Sequence, residues 1–94
     1  MASAAFRLEA SFNESTGRVA AVYLRTREGE VKETREIAEG VAYADYNSEG
    51  LLLGVELLGP CDAGVLDRVA DAEPEPVRAF LKESPPRGLI RGAP

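Results

Sequence analysis

The chain has 94 residues, a net charge of −5, one cysteine and no histidine. That length suits one small domain, residues 1–94, near the lower end of sizes at which a single core suffices without staples. An internal disulfide, histidine catalysis and a structural zinc site within one chain are excluded, and the acidic balance argues against a general nucleic-acid binder.

Glycines at Gly17, Gly29, Gly40, Gly50 and Gly59 separate short runs rich in Val, Leu, Ile, Tyr and Ala. Turn residues at such spacing between apolar runs predict consecutive antiparallel strands, here a five-stranded β-meander over residues 6–58. In residues 6–12, Phe6, Leu8, Ala10 and Phe12 alternate with Arg7, Glu9 and Ser11, the pattern of a half-buried strand. Residues 18–26 are apolar on both faces, with Val19, Ala21 and Tyr23 against Ala20, Val22 and Leu24, which predicts a central or interfacial strand. The cations Arg18, Arg25, Arg27, Lys32 and Arg35 interleave with Glu28, Glu30 and Glu33 and read as a solvated, mixed-charge hairpin. Residues 30–38 are polar enough for an edge strand, where charge discourages edge-to-edge association.

Residues 41–46 and 51–58 predict a hairpin closed by Asn47-Ser48-Glu49-Gly50 as a type I turn with a glycine bulge. That loop sets Asn47 opposite Leu51 and, in an unbroken ladder, Tyr43 opposite Val55. Val41, Tyr43, Leu51, Leu53, Val55 and Leu57 then line the core face, and Ala42, Ala44, Tyr46, Leu52, Gly54, Glu56 and Leu58 the reverse face. A two- or four-residue loop would instead set Tyr43 across from Gly54.

After Gly59-Pro60 the period changes. Val65, Leu66 and Val69 predict a short helix that Asp62 could cap, and Val77, Phe80 and Leu81 a second, with Pro74 and Pro76 at the break. The helical segment is expected over residues 61–84 and a mobile tail over 85–94, in which Leu89-Ile90 could dock on a neighbour. The expected fold class is therefore α+β: a five-stranded antiparallel meander followed by one or two short C-terminal helices.

The stretch from Glu33 through Asp45-Tyr46-Asn47-Ser48-Glu49-Gly50 to Gly54-Val55-Glu56, with Val22-Tyr23-Leu24 upstream, resembles the domain of unknown function 2283 family of small bacterial proteins. The resemblance covers about residues 8–58, and its most specific element is Gly54-Val55-Glu56. It departs from the family at Ala20 and Asn47, where an Asp is usual, so no acidic-cluster chemistry carries over. The resemblance implies a compact β-sheet module without an established activity, and some members look like the antitoxin half of small two-gene systems.

The remaining chemistry is sparse. Cys61 lies beside Asp62, whose charge disfavours a thiolate, and reads as a small buried residue. Asp45, Glu49 and Glu56 are not brought together by this register, so no metal, cofactor or catalytic group is expected. If the reverse face is covered, Glu56 needs a cation, for which Arg25 and Arg35 are the nearby choices; if uncovered, Tyr46, Leu52 and Leu58 form an apolar patch. The reading is a noncatalytic protein-interaction or self-associating module whose interaction face comprises Tyr46, Leu52, Gly54, Glu56 and Leu58. A homodimer or a small protein partner is expected, with no nucleic acid and no membrane. The alternatives are antitoxin-like neutralisation of a small basic partner and an enzyme using carboxylate or tyrosine chemistry at Tyr43, Asp45 and Glu56. A cytoplasmic location is expected from the lone cysteine and the lack of a signal-like segment in residues 1–10. Scarce amides, with Asn only at Asn13 and Asn47 and no Gln, suggest a heat-adapted source.

Overall fold

In the computed structural model, which describes residues 4–17 and 19–91, the period-two runs become five antiparallel strands. These are β1 (Ala4–Phe12), β2 (Val19–Arg27), β3 (Glu33–Ala38), β4 (Ala42–Tyr46) and β5 (Leu52–Leu57). Arg18, the expected first residue of the second strand, lies outside the described residues. Two short strands, β6 (Cys61–Asp62) and β7 (Ile90–Arg91), flank helices α1 (Ala63–Asp71) and α2 (Glu75–Glu83). The α+β class holds, with the helices confined to the region after Pro60. None of them is long and apolar enough to cross a membrane.

The strand order is β1-β2-β5-β4-β3, so the connectivity departs from a simple meander. After β2 the chain crosses to the far edge, and the β3-β4-β5 hairpins return inward until β5 pairs with β2. The physical reason is burial: the two strands with the most apolar character meet in the interior of the sheet. Charged β3 is left at an edge, as expected.

The hairpin between β4 and β5 closes as the sequence predicts. Gly50 adopts φ 81°, its N–H donates to the Asn47 carbonyl at 3.0 Å, and Asn47 N–H donates to the Leu51 carbonyl at 3.0 Å. The Asn47 side chain accepts from the N–H groups of Glu49 and Leu51, both at 2.9 Å. Beyond the turn the expected ladder breaks. Tyr46 pairs with Leu52 but Asp45 pairs with Gly54, so Leu53 is an extra residue in β5 and Tyr43 stands opposite Glu56.

This bulge inverts the facing of β4 relative to expectation. Ala42 and Ala44, instead of Tyr43, join Val22, Leu24, Val55 and Leu57 in the core. Val65, Leu66 and Ala70 of α1 and Val77 and Leu81 of α2 seal that side, each large apolar side chain contributing about 1.5–3 kcal/mol by burial. Leu53 is also fully buried, and a Cβ at Gly29 would lie 2.9 Å from its Cδ2, so a glycine lets the β2–β3 loop close over it.

The bulge is held by side chains. The Leu52 carbonyl accepts from the Thr26 hydroxyl at 2.9 Å and from Arg27 Nη1 at 2.8 Å. The same Nη1 lies 3.0 Å from Glu73 Oε1, in the turn between the helices, which ties the irregular point of the sheet to the helical layer.

The tail also differs from expectation. A single 3₁₀ turn (Arg87–Leu89) buries Leu89 in the core, and β7 pairs in parallel with β6. A docked apolar side chain and a backbone ladder thus order the segment through residue 91, and residues 92–94 lie outside the described residues.

Candidate interaction surface on the open sheet face

Alternation along each strand projects a second set of side chains away from the helices. On β2 these are Tyr23 and Arg25, on β5 Gly54 and Glu56, on β4 Tyr43 and Asp45, and on β3 Thr34 and Glu36. Cross-strand pairing sets Glu56 between Tyr23 on one side and Tyr43 on the other.

Gly54 decides the geometry of this face. A Cβ there would overlap the Tyr23 ring, so only glycine lets the tyrosine lie across β5. The Tyr23 hydroxyl then donates to Asp45 Oδ2 at 3.0 Å, while Thr34 donates to Asp45 Oδ1 at 2.6 Å. Beside them the Tyr43 hydroxyl donates to Glu36 Oε2 at 3.2 Å, which also accepts from the Gly40 N–H at 3.0 Å. Asp45 and Glu36 are thereby satisfied. For Glu56 no hydrogen bond or ion pair is formed among the described residues.

Neither of the two cations weighed as candidate partners for Glu56 pairs with it. Arg25 lies 5.2 Å from the Tyr23 ring centroid and 3.7 Å from Glu9, and Arg35 is on the helix-facing side, paired with Glu33 at 2.6 Å and stacked 4.4 Å from the Tyr46 ring centroid. Arg35 and Tyr46 border a shallow groove of about 360 Å³ beside Val65, Arg68 and Val69 of α1.

The five residues expected to share one face are divided by the bulge. Gly54 and Glu56 remain on the open face, Leu52 is fully buried, Tyr46 packs against the core, and Leu58 stays exposed beyond the end of β5. The apolar reverse face predicted from an unbroken ladder is therefore replaced by a polar one. Tyr23 and Tyr43 were legible as strand residues, but their flanking of Glu56 depends on register alone. Of the trio considered for tyrosine or carboxylate chemistry, Tyr43 and Glu56 are cross-strand neighbours, and Asp45 is occupied by Tyr23 and Thr34.

Both phenols are held protonated. Burial, then the hydrogen bond to Asp45 and the charge of that carboxylate, push Tyr23 well above the ordinary tyrosine range. The hydrogen bond to Glu36 leads the smaller upward shift of Tyr43, with partial desolvation and the charges of Glu36 and Glu56 adding to it. A group whose pKa is raised by folding stabilises the native state below its unfolded pKa, about 10 for tyrosine, and that contribution fades as the pH rises further. Stability is expected to fall from about pH 10 upward. In a spectrophotometric titration the last-ionising phenol should vanish in Tyr23→Phe; its persistence there would contradict this assignment.

Residues 19–59 match the model of a protein family of unknown function, DUF2283. The match contains Tyr23, Asp45, Gly50 and the Gly54-Val55-Glu56 segment, and it bears out the resemblance read from the sequence. No curated protein and no solved structure matches the chain significantly.

Proposed function

We propose that this protein is a noncatalytic protein-interaction module whose open sheet face, centred on Glu56, receives a basic side chain of a partner protein. The observation that carries this reading is a partly buried carboxylate that forms no hydrogen bond or ion pair among the described residues, flanked by two tyrosines on the sheet face opposite α1 and α2. A carboxylate between aromatic walls offers a guanidinium both a charge-assisted hydrogen bond and cation–π contact. Glu36 and Asp45 add negative potential at the same end of the sheet, which steers a basic partner and matches the antitoxin-like alternative in chemistry. Catalysis is less well supported, because raised phenol pKa values weaken tyrosine as a base or nucleophile and Asp45 is already doubly hydrogen-bonded.

The test is a chemical-shift titration with an arginine-containing tripeptide, blocked at both ends. Shifts are expected at Tyr23, Tyr43, Gly54 and Glu56, weakening with added salt, and Glu56→Gln should reduce affinity by about tenfold. Shifts scattered over the surface, or unchanged in Glu56→Gln, would sink the reading.

A further inference from the structure

The two edges of the sheet are built differently. Edge strand β3 has six residues and carries Glu33, Arg35 and Glu36, which suits an edge meant to stay single. Edge strand β1 has nine residues without proline or lysine, pairs regularly with β2 from Arg7 to Ser11 between two register shifts, and leaves Phe6, Leu8 and Phe12 42%, 43% and 61% exposed, with Leu8 opposite Leu24 on the helix-facing side. Of these, Phe6 stacks on Phe80 of α2 at 5.2 Å. The sequence pattern predicts a half-buried strand here, and within one copy the apolar half of β1 is left largely uncovered.

We infer that the outer edge of β1 pairs with β1 of a second copy, joining two five-stranded sheets into one continuous antiparallel sheet. A two-fold axis normal to the sheet keeps both helical layers on the same side, so paired residue numbers must add to an even total. Centring the axis on Arg7 or on Glu9 would place like charges directly opposite each other. Centring it on Ala10 leaves both charges facing uncharged residues. With the axis at Leu8, Arg7 faces the partner's Glu9 twice by symmetry, Leu8 faces the partner's Leu8, and Phe6 faces the partner's Ala10. That register alone satisfies the unpaired backbone edge, covers the apolar row and complements the charges together. It uses a different surface from the open face and holds or fails independently of the function proposed above.

Sedimentation equilibrium at tens of micromolar provides the test, with circular dichroism confirming that each variant is folded. The wild type should be a dimer. Glu9→Arg should raise the dimer dissociation constant by about tenfold or more, because two attractive pairs become repulsive. Combining it with Arg7→Glu should restore dimerisation by exchanging the signs. A folded wild-type monomer, a dimer indifferent to Glu9→Arg, or a folded double variant that stays monomeric would each overturn the inference.

Discussion

Replacing Arg27 with methionine should lower the unfolding free energy by about 2–4 kcal/mol, among the largest single-site effects expected outside the apolar core. The side chains of Arg27 and Glu73 are 13% and 12% exposed, so removing the guanidinium leaves a largely buried carboxylate without its partner. The Leu52 carbonyl, at the Leu53 bulge, would lose one of its two side-chain donors and keep the Thr26 hydroxyl. Methionine retains most of the aliphatic stem, so the loss reports polar contacts more than packing. Urea unfolding gives the magnitude, and a double cycle with Glu73→Gln separates the pair from the carbonyl: in the Glu73→Gln background the cost should shrink. A loss below about 0.5 kcal/mol would show that the bulge does not depend on this anchor.

Gly54→Ala should cost about 2–3 kcal/mol, although alanine normally improves on glycine within a strand. The added methyl would take space held by the Tyr23 ring, driving the ring off β5 and breaking its hydrogen bond to Asp45. Tyr23→Phe isolates the hydrogen bond and should cost about 1 kcal/mol. In a Tyr23→Ala background the obstruction is gone, so Gly54→Ala should become neutral or stabilising. An equal penalty in both backgrounds would place its origin in the backbone and not in the ring. The same substitution should abolish the peptide-induced shifts, since one wall of the Glu56 site moves away.

Local rules carried much of this fold. The turn at Asn47–Gly50 was legible because a type I turn with a glycine bulge needs a side-chain acceptor at its first position and a positive φ at its last, and Asn47 and Gly50 supply them. The polar edge strand β3 and the change to helical period after Pro60 were legible for the same reason: pattern and turn chemistry act over a few residues. The segment around Gly54-Val55-Glu56 was recognisable as a family feature, but the reason for its glycine was not, since Tyr23 lies far away in sequence.

The sequence by itself thus determined the class of the five long strands and the two helices, the hairpin turn and the acidic charge balance. Tertiary structure decided the strand order, the facing of β4 and the composition of the open face. The extra residue at Leu53 carries no local signal, because its stability rests on Thr26, Arg27 and Glu73, contributed by β2 and by the turn between the helices. A period of two makes facing sensitive to one such residue: a single bulge exchanges core for surface along the paired strand. Local propensity cannot register that exchange, which follows from where the carbonyl at the bulge finds its donors.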